Sequence, residues 1–95
     1  MPEIFEVRIS HKAQNDLRSI PKPILVKLRA WIDAVERLGL REVRRVPGYH
    51  DEPLRGRRES QRSIRLNKAY RAIYEIRSNG TLEFVSIEEV NKHDY

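Results

Sequence analysis

A chain of 95 residues, 39% of them hydrophobic, can bury one core and not two, so residues 1–95 are expected to form a single domain. Nineteen Lys and Arg against fourteen Asp and Glu leave a formal net charge of +5, which attracts polyanions and puts nucleic acid first among partners. The absence of cysteine excludes disulfides, iron–sulfur clusters and Cys-ligated zinc.

No apolar run approaches the length of a membrane span. The N-terminal MPEIFEVRIS carries charge too early, and too little apolar sequence, for a signal peptide. A cytoplasmic chain without a membrane partner is expected. His11, His50 and His93 do not have metal-site spacing, so any catalysis is expected to need no metal or other cofactor.

Residues 4–9 alternate, with Phe5, Val7 and Ile9 on one face and Glu6 and Arg8 on the other, the period of a half-buried strand. Ser10 then offers a helix N-cap, and Ala13, Leu17 and Ile20 recur at helical spacing until Pro21 and Pro23 interrupt the backbone. From about Pro23, the residues Ile24, Leu28, Trp31, Val35 and Leu38, widened by Leu25 and Ile32, form an apolar stripe that ends at Gly39. Two helices joined by a proline turn predict an antiparallel hairpin laid on a sheet. Residues 40–59 read as a long basic loop.

Residues 60–66, 70–77 and 81–90 read as three further strands. Asn79-Gly80 between the last two predicts a two-residue hairpin turn that sets Tyr74 opposite Val85 and Ala72 opposite Ile87. A loop of Asn67, Lys68 and Ala69 would set Ile64 opposite Ala72 and Leu66 opposite Tyr70, although Ala69 suits the left-handed conformation of such a loop poorly. The expected fold is α+β, in the order β-α-α-β-β-β, with an antiparallel sheet covered on one face and open on the other.

On the open face this register sets Arg65 opposite Arg71, and like charges directly opposed across strands are destabilising. Either an anion sits between them, or Arg71 pairs with Glu88 on the next strand while Arg65 points into solvent. Between Arg41 and Arg71 lie ten of the nineteen basic residues, against only Glu42, Asp51, Glu52 and Glu59. Such a concentration, with Arg55, Arg57, Arg58, Arg62 and Lys68 at its centre, suits a phosphate-tracking groove. Tyr49 and His50 could stack on unpaired bases there, or pack back onto the domain.

The run EPLRGRRESQRSIRLNKAYRAIYEI from Glu52 to Ile76, followed by the terminal KHDY, resembles the RelE/ParE superfamily of bacterial toxins, especially its YoeB-like and HigB-like branches. The resemblance lies in a Pro-Leu-basic-Gly segment, then SIRLN, then a Tyr-Arg dipeptide, and with the strand order it covers essentially the whole chain. It implies a toxin paired with a cognate antitoxin, which cleaves mRNA in the ribosomal A site by attack of a 2′-hydroxyl on the adjacent phosphate. Under it Glu52, which precedes Pro53-Leu54, is the general base. Arg65 and Arg71 match the arginines that stabilise phosphate charge, and Arg55 matches the loop cation. His93, a residue type that titrates near neutrality, is the candidate acid, and Tyr95 stacks on or orients the base.

Taken without the family, Glu52 reads equally as a loop carboxylate neutralising nearby arginines, and His93 as a frayed terminal residue. Asp94 separates His93 from Tyr95, whereas YoeB-like toxins set the two side by side. Ser63 and Arg65 stand where RelE carries lysines, which disfavours a lysine base. The competing readings are a ParE-like inhibitor of DNA gyrase without chemistry of its own, and a non-catalytic RNA-binding module.

Overall fold

The computed structural model describes residues 3–92. The elements follow in the order β1 (Val7–Ile9), α1 (His11–Leu17), α2 (Lys22–Leu38), α3 (Leu40–Arg44), β2 (Glu52–Pro53), β3 (Gln61–Arg65), β4 (Tyr70–Ser78) and β5 (Glu83–Lys92). Single 3-10 turns at Pro47–Tyr49 and Gly56–Arg58 complete them. The five strands form one sheet in the order β1-β5-β4-β3-β2.

Ser10 caps α1 as expected, its hydroxyl oxygen accepting from the Ala13 N–H at 3.0 Å. In α2 the stripe of Ile24, Leu28, Trp31, Ile32 and Val35 is buried against Ile64, Ala72, Tyr74, Val85, Ile87 and Val90 of the sheet, with Ala13 of α1 in the same cluster. This is the expected α+β arrangement. Among the described residues no helix is long and apolar enough to cross a membrane.

Three features depart from the expectation. The first strand is shorter than residues 4–9 and pairs in parallel with β5, Val7 with Val85 and Ile9 with Ile87. Val7 and Ile9 pack against the core, but Phe5 precedes the strand and stays exposed. Secondly, the supposed loop 40–59 opens with a helix, because Leu40 and Val43 are buried one turn apart. Glu3 caps it, its carboxylate accepting from the N–H groups of Arg41 at 3.1 Å and Ile4 at 2.9 Å, and these bonds hold the Glu3 carboxyl below the usual carboxylate range. Gly39 makes that approach possible: with φ +90, a Cβ here would stand 2.3 Å from Glu3 Cγ.

The third departure is in the β4–β5 register. Ser78 pairs with Glu83, not Thr81, because Asn79 folds the intervening residues around its side chain. Its Oδ1 accepts from the N–H groups of Thr81 at 3.0 Å and Leu82 at 2.8 Å. Tyr74 therefore lies opposite Ile87 and not Val85, a shift of two residues that, as far as this pair, leaves each side chain on its predicted face. A bulge between Ile73 and Tyr74 then leaves Glu88 as the extra residue, and Ala72 comes opposite Val90. Ile87 and Val90 are three positions apart, so strict alternation would expose one of them; the bulge lets both be buried.

In the β3–β4 connection the register is as expected, Ile64 opposite Ala72 and Arg65 opposite Arg71, with the Leu66 N–H donating to the Tyr70 carbonyl at 2.9 Å. Ala69 does not adopt positive φ, a conformation that His50 alone takes among the described non-glycine residues. Asn67 makes the turn instead, its Oδ1 accepting from the N–H groups of Ala69 and Tyr70, each at 2.7 Å.

Candidate functional site

β2 is an edge strand of two residues that sets Glu52 opposite Ser63 and Pro53 opposite Arg62, and an edge is where a proline can sit in a sheet. Pairing β2 with β3 brings the segment around Glu52 over the same end of the sheet as the β3–β4 turn. Between them lies a cavity of about 420 Å³ lined by His50, Glu52, Pro53, Leu54, Arg55, Ser63, Ile64, Arg65, Asn67, Tyr70 and Arg71. Residues from three separate stretches of chain thus converge.

Among the described residues the lining holds three arginines, Arg55, Arg65 and Arg71, against one carboxylate, Glu52. Among the described residues none of these arginines forms an ion pair, although Arg8, Arg58, Arg62 and Arg77 all do. Arg71 does not reach Glu88, the partner considered for it. The altered register sets it opposite Asn91, whose Oδ1 lies 3.4 Å from the Arg71 Nε. Glu88 instead accepts from the Ser86 hydroxyl and lies 3.4 Å from the Arg77 guanidinium. Elsewhere on this face charge is balanced: Arg58 meets Glu89, Arg77 meets Glu75 at 2.8 Å, and the Arg8 guanidinium lies 4.1 Å from the centre of the Phe84 ring. Among the described residues, uncompensated positive charge is gathered where Arg65 and Arg71 face each other.

Of the residues expected at the site, Glu52, Arg55, Arg65, Arg71 and His50 come together in the cavity. Arg57, Arg58, Arg62 and Lys68 do not line it. Arg58 is held by Glu89 and by Gln61, and Arg62 turns to the other face, where its Nε donates to Asp51 at 2.5 Å. Tyr49 follows the second of its two readings. It packs against the core with the Lys27 ammonium 5.1 Å from its ring centre, and burial raises its pKa. Arg41 and Arg44 belong to α3, not to a loop over the groove. His93 and Tyr95 lie outside the described residues.

Sequence reasoning missed Asn67 and Tyr70 as lining residues, and it counted Asp51 only among the acidic residues of the basic stretch. Asn67 was legible as a turn residue and Tyr70 as half of the Tyr-Arg dipeptide. Asp51 gives no local signal, because its importance comes from strands that reach it from far along the chain. Its side chain, 1% exposed, accepts from the Tyr74 hydroxyl at 2.5 Å and from Arg62. Burial, and then the Asp51 charge, push the Tyr74 pKa well up, so the phenol keeps its proton and remains a donor.

No relative among curated proteins matches this sequence. Solved structures do match. The YoeB/ParE toxin from Agrobacterium tumefaciens is 16% identical, with 94% of this chain and 99% of that one covered and a TM-score of 0.67. YafQ from E. coli is also 16% identical, over 93% and 92%, with a TM-score of 0.72. The toxin–antitoxin complex RelBE2 from Mycobacterium tuberculosis contains a chain 24% identical, over 95% and 99%, with a TM-score of 0.66. These likenesses establish the fold. The family described as the ParE toxin of the type II toxin–antitoxin system parDE matches residues 7–91, nearly the whole described chain, and so the protein belongs to the RelE/ParE superfamily as a type II toxin.

Proposed function

We propose that this toxin is a ribosome-dependent mRNA endonuclease that uses the Glu52–Arg65–Arg71 cavity to cleave RNA in the A site. The observation that carries this reading is the opposed pair Arg65 and Arg71, without an acidic partner among the described residues, on the wall of a cavity that also holds Glu52. A binding surface alone gains little from two guanidinium groups forced together. A phosphate that gains charge in a transition state gains much from them.

In the proposed reaction Glu52 takes the proton of a ribose 2′-hydroxyl, whose oxygen bonds to the adjacent phosphorus as the bond to the 5′-oxygen breaks. Arg65 and Arg71 stabilise the charge on the phosphate oxygens, Arg55 holds the neighbouring backbone, and His93 returns a proton to the leaving 5′-oxygen. The products are a 2′,3′-cyclic phosphate and a 5′-hydroxyl. Carboxylate, guanidinium and imidazole supply every role, so the reaction as written calls for no metal. Tyr95 would orient the base, and His50, on the cavity wall, is available to stack on a neighbouring one.

The second reading is inhibition of DNA gyrase, favoured by the matched family being that of the ParE toxin. Two assays on one preparation separate the readings: mapping of mRNA 5′ ends after incubation with translating ribosomes, and inhibition of gyrase supercoiling. The endonuclease reading expects cleavage that Arg71→Ala lowers by about 10²–10³ in rate per folded molecule, with ribosome binding largely kept. Gyrase inhibition without cleavage supports the ParE reading, and RNA binding with neither leaves a binding module. A cognate antitoxin belongs to the proposal, supported by the RelBE2 structure being a toxin–antitoxin complex. The +5 charge suits a partner segment of acidic or amphipathic character.

A further inference from the structure

Asp51 sits between two residues of the cavity wall, His50 and Glu52, yet its own side chain is turned away from the cavity and is 1% exposed. Arg62 and Tyr74 are cross-strand neighbours on β3 and β4, and both reach its carboxylate, at 2.5 Å each. Arg62 also donates to the Asp51 backbone carbonyl at 3.3 Å. Behind Tyr74, the Arg44 Nε donates to the phenol oxygen at 3.3 Å, and the Trp31 ring lies 5.3 Å away, tilted by 44°. Groups from β3 and β4 thus meet at the Asp51 carboxylate, and α2 and α3 hold the phenol from behind.

The backbone beside it is unusual. His50 has φ +46 and ψ +50, a left-handed conformation that a non-glycine residue keeps only where its surroundings hold it. A buried ion pair stabilises a fold little compared with apolar side chains of the same volume. It does supply direction, because hydrogen bonds to a fixed carboxylate leave the chain on either side with few alternatives.

We propose that Asp51 and Tyr74 are positioning residues for the cavity: their bond pins the segment from which His50 and Glu52 face the bound phosphodiester. The activity arm of the test rests on the endonuclease reading above; the arm on amide exchange does not. Tyr74→Phe keeps the ring against Trp31 and removes only the donor to Asp51. Amide exchange of His50 and Glu52 in the free protein should then quicken by about tenfold or more, while that of β4 and β5 stays as in the wild type. Single-turnover cleavage on mRNA-programmed ribosomes should fall by about 10- to 100-fold with ribosome affinity within about threefold, since displacing a reacting group by about 1 Å can cost about 10²-fold. The double variant Tyr74→Phe/Glu52→Gln should be no slower than Glu52→Gln alone, because Tyr74 acts through Glu52.

Unchanged exchange at His50 and Glu52, or exchange that quickens evenly over the whole sheet, overturns the proposal, as does strict additivity in the double variant. Should the wild-type protein cleave no mRNA, the endonuclease reading fails and exchange alone decides the positioning role. Should Tyr74→Phe not fold, Asp51→Asn is read in the same way.

Discussion

Arg65→Ala should give a protein that is more stable and far less active, a combination that separates the proposed role of the arginine pair from a structural one. Arg65 is exposed, directly opposite Arg71, and lacks an acidic partner among the described residues. Like charges so placed cost about 0.2–1 kcal/mol. Removing Arg65 relieves this cost and breaks no ion pair among the described residues. A gain of about 0.5 kcal/mol lifts the Tm of a domain of this size by roughly 2–4 °C. Over the same change the barrier to cleavage should rise by about 2.7–4 kcal/mol, which is about 10²–10³ in rate. Thermal melting and single-turnover cleavage on one preparation read both quantities. Inorganic phosphate should stabilise the wild type more than the variant, since an anion bound only to the folded state raises stability by mass action. A lower Tm with an unchanged rate per folded molecule would remove Arg65 from the site and make it part of the scaffold.

Affinity for ribosomes or single-stranded RNA should fall with added salt with a log–log slope of about −2 or steeper, about −0.7 for each of the three cavity arginines; a flat dependence would point to an apolar protein partner. Glu3→Gln should lower the Tm at neutral pH, and the gap should close on acidification. A carboxyl whose folded-state pKa is depressed, here by the Arg41 and Ile4 N–H groups, contributes stability present above the ordinary value of 4.5 and lost as pH falls through the folded one. A gap that persists at low pH would mean that the Glu3 charge is not what caps α3. Gly39→Ala should cost about 1–3 kcal/mol in chemical denaturation, because alanine is strained at φ +90 and its Cβ meets Glu3; a neutral result would show that the Glu3 side chain moves aside freely.

What could be read from the sequence was whatever rests on local chemistry. Ser10 and Pro23 mark helix starts, the stripe of α2 marks a buried face, and SIRLN followed by Tyr-Arg carries both the register of Arg65 against Arg71 and the family resemblance. Faces were legible even where register was not: taking Asn79-Gly80 as a tight turn displaced β5 by two residues, yet Tyr74 still points into the core. What escaped depends on partners distant in sequence. Arg62 looked like a groove cation until β4 brought Tyr74 beside it and Asp51 between them. Arg71 looked like a partner for Glu88 because neither the wider turn at Asn79 nor the bulge can be seen by alternation alone; the clue to the bulge was the spacing of Ile87 and Val90. The start of α3 was hidden because its cap, Glu3, comes from the other end of the region it closes.

The parallel pairing of β1 with β5 has a consequence for how the molecule comes into being. Val7 must wait for Val85, with almost the whole chain between them, and β5 lies inside the sheet, flanked by β1 and β4. Pairings over such a span are paid late in folding, because loop closure comes before any reward. During synthesis the helices and the stretch that carries Glu52, Arg55 and Arg65 emerge while the strand that completes their sheet is still missing. Asn91, which meets Arg71, emerges later still. Every described residue that lines the cavity thus precedes β5 in the chain, and a nascent copy holds them all before the strand that completes their sheet has been made.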